Sequence, residues 1–109
     1  MKLLFAFVQN EDVKSLSRAL IKSDINVTRI SSSGGFLSSG NSTLMIGVEE
    51  ADLQNTLEII EKHSHKRGTA MAAQTMPSTM QGSAIPLPIS VTIGGATVFV
   101  IDVESFHKF

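Results

Sequence analysis

Residues 27–48 read VTRISSSGGFLSSGNSTLMIGV, and the order of residue types in this stretch decides the fold. A β-branched run, Val27-Thr28-Arg29-Ile30, stops at three serines and the pair Gly34-Gly35. Phe36-Leu37 then stands alone among small polar residues before Gly40-Asn41 turns the chain into a second apolar run, Leu44-Met45-Ile46. Strand formers separated by Gly, Ser and Asn predict strand, flexible polar turn, strand. A turn facing solvent has little use for a Phe-Leu pair at its tip. Backbone N–H groups freed by glycines cradle an anion, and an exposed aromatic stacks on a flat ring. A ligand that joins a phosphate to a base satisfies both.

Working outward, residues 2–9, KLLFAFVQ, read as a buried strand. Asn10 is placed as the N-cap of a helix, with Glu11 and Asp12 in its positive first turn. Val13, Leu16, Leu20 and Ile21 share one helical face, and Lys14, Arg18 and Lys22 fall on the other side. The first half is therefore β-α-β. At an offset of forty residues the pattern returns: Val8 matches Val48, Asp12 matches Asp52, Val13 matches Leu53, Leu20 matches Ile60 and Lys22 matches Lys62. This predicts a second helix from about Glu50 to His63 that buries Leu53, Leu57 and Ile60. Ancestral duplication and chance recurrence of an apolar pattern both account for the match. As architecture, two successive β-α-β units predict an α+β, ferredoxin-like βαββαβ sandwich with two helices on one face of an antiparallel sheet.

The second half then departs from the first. Residues 66–88, KRGTAMAAQTMPSTMQGSAIPLP, form a long insertion with two glycines, three prolines and three methionines. A functional lid and a tolerated insertion both fit that composition. Met71, Met76 and Met80 suit either an adaptable partner surface or a disordered loop. Ile89 to Ile93 and Ala96 to Ile101 flank Gly94-Gly95, which predicts a tight C-terminal β-hairpin with a primed turn. Phe106 and Phe109 belong to a short tail expected to pack on a surface. The strands are apolar on both sides, as in Phe5, Phe7 and Val8 and again in Val98, Phe99 and Val100. A small domain does not leave such a face in water, so a symmetric homo-oligomer is expected, with ligand clefts between subunits.

Composition narrows the function. The 109 residues fit a single domain, residues 1–109, with net charge −1 and nine basic residues dispersed along the chain. That dispersal argues against polymeric nucleic acid, which requires a basic stripe. There is no cysteine, which excludes disulfides, thiolate nucleophiles and Cys-based zinc sites. The longest N-terminal apolar run, Leu3 to Val8, is too short for a signal peptide or a membrane span, so a soluble cytoplasmic domain without a membrane partner is expected. His63 and His65 read as a solvated helix end rather than a metal pair, and His107 as a packed tail residue. Glu49, Glu50 and Asp52 read as an acidic first turn. No G-x-S-x-G elbow, phosphate loop or paired nucleophile and base is present, which reads as a non-enzyme without a cofactor.

The residues also resemble a known family, the PII-like cyclic-di-AMP receptors of Gram-positive bacteria. The resemblance spans the full length. It rests on Met1-Lys2-Leu3 with Val8-Gln9, on Thr28, Ser33-Gly34-Gly35-Phe36-Leu37 and Gly40-Asn41, and on Ile46-Gly47-Val48. It continues through Pro86 and Pro88, Gly94-Gly95-Ala96-Thr97-Val98-Phe99-Val100 and the ending Phe106-His107-Lys108-Phe109. It implies a PII-like signal-transduction homotrimer that binds cyclic di-AMP in clefts between subunits. The composition of residues 31–43 and 66–88 beside those clefts adds the expectation that ligand occupancy reorders both loops toward an unknown target protein. Carried over by position, Thr28 and Asn41 would hydrogen-bond the base or phosphate, and the backbone of Gly35, Phe36 and Leu37 would line the pocket. Gly47 would permit close approach, and Phe99 would contact an adenine. Asn26 and Lys108 complete the expected site, Asn26 where the family commonly has an arginine and Lys108 where it commonly has a glutamine. An arginine at 26 would add a planar cation that lysine elsewhere does not replace. The alternative is a PII-like regulator for ATP or another small nucleotide or metabolite. The chain has no tyrosine, so the tyrosine-modification switch of many PII proteins is excluded.

Overall fold

Alternation along the first strand sets the layers. In β1, Lys2–Gln9, the side chains of Leu4, Ala6 and Val8 are fully buried while Leu3, Phe5 and Phe7 are only partly covered, the period of two that a pleated strand imposes. The computed structural model describes residues 1–30, 40–71 and 89–109. Helix α1, Asn10–Lys22, buries Val13, Leu16 and Leu20 against that first set. Strand β2, Val27–Ile30, and strand β3, Asn41–Val48, follow. A 3-10 turn, Glu50–Asp52, leads into α2, Leu53–Ser64. Ile60 is buried, and Leu53 and Leu57 pack partly covered against the same core. Thr56 and Ser64 are buried too, their hydroxyls donating to the carbonyls of Asp52 and Ile60 one turn earlier, so neither is left unsatisfied.

Strands β4, Arg67–Met71, β5, Ile89–Ile93, and β6, Ala96–Asp102, complete the order. The main sheet runs β2-β3-β1-β6 with every neighbour antiparallel. This is the expected ferredoxin-like sandwich, built as β1-α1-β2 and β3-α2-β6. Both helices cover the face of Leu4, Ala6, Val8, Leu44, Ile46 and Val48. Among the described residues no helix is long and apolar enough to cross a membrane.

Five local expectations change. The strands either side of Gly94-Gly95 do not pair with each other: β5 pairs with β4 in a second, two-stranded sheet, and β6 pairs with β1. Both glycines have positive φ, 82° and 103°, but their N–H groups donate to Gln9 Oε1 and the Ser64 carbonyl, so the turn passes from one sheet to the other. The insertion correspondingly begins with a strand rather than a loop. Asn10 is the first helical residue and not a side-chain cap; its Oδ1 accepts from Ser42 and Arg29 instead. Ile21 is 63% exposed: the helix ends there, and Ile25, 7% exposed, supplies the core contact. In the tail, Phe106 and Phe109 are exposed, and His107 stacks on Phe109 with ring centroids 6.2 Å apart.

Candidate functional site

The face of the sheet away from the helices carries Thr28, Asn41, Gly47 and Phe99 of the expected site. Register aligns them in rows across the strands. Thr28 lies opposite Met45, Met45 opposite Phe5, and Phe5 opposite Phe99. In the next row Gly47 lies opposite Leu3, and Leu3 opposite Ile101. Asn41 pairs with Gln9 at the end of β3. Alternation puts Thr28, Asn41, Gly47 and Phe99 on this one face.

They are not all neighbours. β2 and β6 are the two edges of the sheet, so Thr28 and Phe99 are three strand spacings apart, about 14 Å. One protomer therefore presents two half-sites: Thr28, Gly47 and Asn41 on β2–β3, and Phe99 at the far edge. Asn26 is exposed just ahead of β2, and Lys108 is exposed in the C-terminal tail. Gly35, Phe36 and Leu37, with the proposed anion cradle, lie outside the described residues, as do Met76, Met80, Pro86 and Pro88.

Around the first half-site, Gly47 leaves space. A Cβ built there would meet nothing within 4 Å, so a ligand can reach the strand backbone. At the other half, Phe99 is 48% exposed and packs edge-on against Phe7, centroids 5.9 Å apart and planes at 87°. One side of the Phe7 ring system thus fixes Phe99 and leaves much of it uncovered.

The roots of both long segments meet at one corner, the junction of β1 and α1. The Asn10 N–H donates to the Gly40 carbonyl at 2.8 Å. Arg29, on the helix side of β2, donates to Ser42 Oγ at 2.8 Å and reaches Asn10 Oδ1 at 3.5 Å. These bonds hold the ends of β2 and β3, from which residues 31–39 depart. Two residues on, Asp12 is 4% exposed and receives both Arg67 nitrogens, Nη2 at 2.5 Å and Nη1 at 3.5 Å. The hydrogen bond to Asp12 raises the Arg67 pKa above its already high ordinary value, so the guanidinium stays charged. Gln9 Oε1 accepts from the Gly94 N–H at 2.8 Å. A Cβ at Gly94 would lie 2.5 Å from Arg67 Nη1 and from the His65 carbonyl oxygen, so only glycine admits this approach. Gln9, Asn10 and Asp12 thereby fasten the bases of residues 31–39 and of the β4–β5 ribbon. Sequence reading missed this corner: its one signal was a polar Gln-Asn-Glu-Asp run immediately after a buried strand.

A family model described as "Cyclic-di-AMP receptor" matches residues 1–109, the whole chain. Among solved structures, the chain is similar to a functionally unknown protein from Pediococcus pentosaceus ATCC 25745. The two are 42% identical with a TM-score of 0.78, the match covering 99% of this chain and 96% of that one.

Proposed function

Because the chain belongs to the cyclic-di-AMP receptor family, we propose that it is a non-enzymatic signalling protein that binds cyclic di-AMP between the subunits of a homotrimer. The observation that carries the intersubunit site is the separation of its halves. Thr28 and Gly47 lie on the β2–β3 side of the open face and Phe99 on the far edge, with Met45 and Phe5 between Thr28 and Phe99, so the two sets do not line one cleft on a single sheet. A neighbouring copy whose β6 edge meets the β2–β3 edge brings the halves together. Exposed Phe99, Val100 and Ile101, each 42–48% accessible, give that contact an apolar driving force. In this arrangement Thr28 and Asn41 hydrogen-bond the ligand from β2–β3, Gly47 lets it approach the backbone, and Phe99 of the adjoining copy offers its ring to an adenine. Gly35, Phe36 and Leu37 line the pocket with their backbone, and Asn26 and Lys108 stand at its rim.

Occupancy reorders the loops at residues 31–43 and 66–88, and so presents or withholds a surface to a target protein. The ligand shifts that equilibrium only by its preference for one state. A second reading, a regulator for ATP or another small nucleotide, is favoured by one feature: the exposed residue ahead of β2 is Asn26, with no guanidinium to pair with a second phosphate. Calorimetric titration with cyclic di-AMP, cyclic di-GMP and ATP separates the two. Heat with cyclic di-AMP alone supports the first reading, and heat with ATP alone replaces it with the second.

A further inference from the structure

The outer surface of the two helices carries a feature that nucleotide binding does not use. Lys14, Arg18 and Lys22 recur every four residues on α1, about 6 Å apart along the axis. With Lys62 and His63 of α2 they border a groove of about 690 Å³. Ser15, Ala19 and Ser23 each follow one of these cations and line the same groove with small side chains. Ser15 Oγ and His63 Nδ1, 2.9 Å apart, hydrogen-bond from one helix to the other.

Three of the cations elsewhere are engaged: Lys2 with Asp102, Arg67 with Asp12, Arg29 with Ser42. Among the described residues Lys14, Arg18, Lys22 and Lys62 form no ion pair, and Glu11 is the one acid lining the groove. Four formal positive charges against one give a local excess of three on a chain whose net charge is −1. The sequence disperses its nine basic residues; the fold brings four of them to one groove.

We propose that this groove docks an acidic segment of a partner protein. The cationic row from Lys14 to Lys22 is about 12 Å long, which suits a succession of carboxylates and exceeds a single phosphate. The small side chains beside the row leave room for a peptide to settle between the helices. Nucleic acid fits less well, since no Phe, Trp or Tyr is among the described lining residues and four cations displace few counterions. This inference stands apart from the nucleotide site, which uses the opposite face of the sheet.

The test is fluorescence anisotropy of the full chain with a labelled oligoglutamate peptide and, separately, a single-stranded oligonucleotide of matched charge. The peptide should bind at low salt, and Arg18→Glu should weaken it about tenfold or more. Lys66→Glu, an equal reversal outside the groove, should leave its affinity at the parent's value. Equal losses in the two variants would reduce the effect to net charge and overturn the proposal. So would tighter binding of the oligonucleotide than of the peptide, or no peptide binding by the parent. If Arg18→Glu fails to fold by circular dichroism, Lys14→Gln/Lys22→Gln takes its place with the same expected outcome.

Discussion

At the scale of single residues, Gly47 separates folding from binding more cleanly than any other described member of the site. It lies inside β3 without a positive φ, and a Cβ there meets nothing within 4 Å. Gly47→Val is therefore expected to leave the fold intact and to raise its stability by about 0.5–1 kcal/mol through the stiffer unfolded chain. In the proposed site the same side chain fills the space a ligand uses. Calorimetry should show binding lost while the thermal midpoint holds or rises; retained affinity would move the pocket off β3. Asn26 gives the complementary test. It is exposed where the resemblance expects an arginine, and a charged hydrogen bond contributes roughly 1.5–3 kcal/mol. Asn26→Arg should tighten cyclic di-AMP binding about ten- to a hundredfold, and an unchanged dissociation constant would show that residue 26 lies outside the cleft. Thr28, Gly47 and Phe99 were expected from family position alone, and the strand register puts them on one face of the sheet. Arg29 was not legible in the sequence, because a lone arginine in a four-residue strand gives no hint of which polar groups the next strand and helix bring to it.

At the scale of elements, the end of α1 shows how local chemistry terminates a helix. Asp24, at φ 62°, takes the left-handed position after the helix. Its N–H donates to the Ile21 carbonyl at 2.9 Å, and that of Ile25 reaches back to Leu20 at 2.9 Å. Leu20 and Ile25 then meet in the core, the hydrophobic contact that accompanies this C-terminal motif. Asp24→Gly relieves the Cβ strain of the left-handed conformation and is expected to stabilise the fold by about 0.5–1 kcal/mol, read from chemical denaturation. Strands β1, β2, β3, β5 and β6 were legible from their apolar runs, but β4 was not, and neither were the partners of β5 and β6. Two adjacent glycines between β-branched runs are a strong local hairpin signal. The outcome is set by distant groups instead: Gln9 takes the Gly94 N–H, Ser64 the Gly95 N–H, and Asp12 holds Arg67 at the start of β4. Removing that last tie tests the corner. Arg67→Met leaves the 4%-exposed Asp12 without its cation. Amide exchange across residues 67–71 and 89–93 should accelerate while β1 and β3 stay protected, and unchanged exchange in the ribbon would show that the backbone ladder alone holds it.

At the scale of the whole molecule, the sandwich buries one face of its sheet and leaves the other partly exposed. The helix-side residues Leu4, Ala6, Val8, Leu44 and Ile46 are all fully buried, whereas across the open face Ile101 remains 47% and Phe99 48% exposed. Apolar side chains at an edge strand invite association, and among the described residues β6 pairs along one side, with β1. Ile101 is the better residue to perturb, since it shares the face and the strand with Phe99 but is no member of the expected ligand set. Opposite it on β1 is Leu3, so a carboxylate at 101 would face apolar groups on its own chain and on any copy docked there. Ile101→Asp is expected to give a folded protomer that sediments as a monomer, because burying an unpaired charge opposes association far more than it disturbs an exposed edge. If the nucleotide site is shared between copies, that variant also loses cyclic di-AMP binding although Thr28, Asn41, Gly47 and Phe99 are all still present. Sedimentation and calorimetry on the same sample decide between the possibilities: a monomer that binds with the parent's affinity would place the whole pocket within one chain, and an unchanged oligomer would place the interface elsewhere than on the β6 edge.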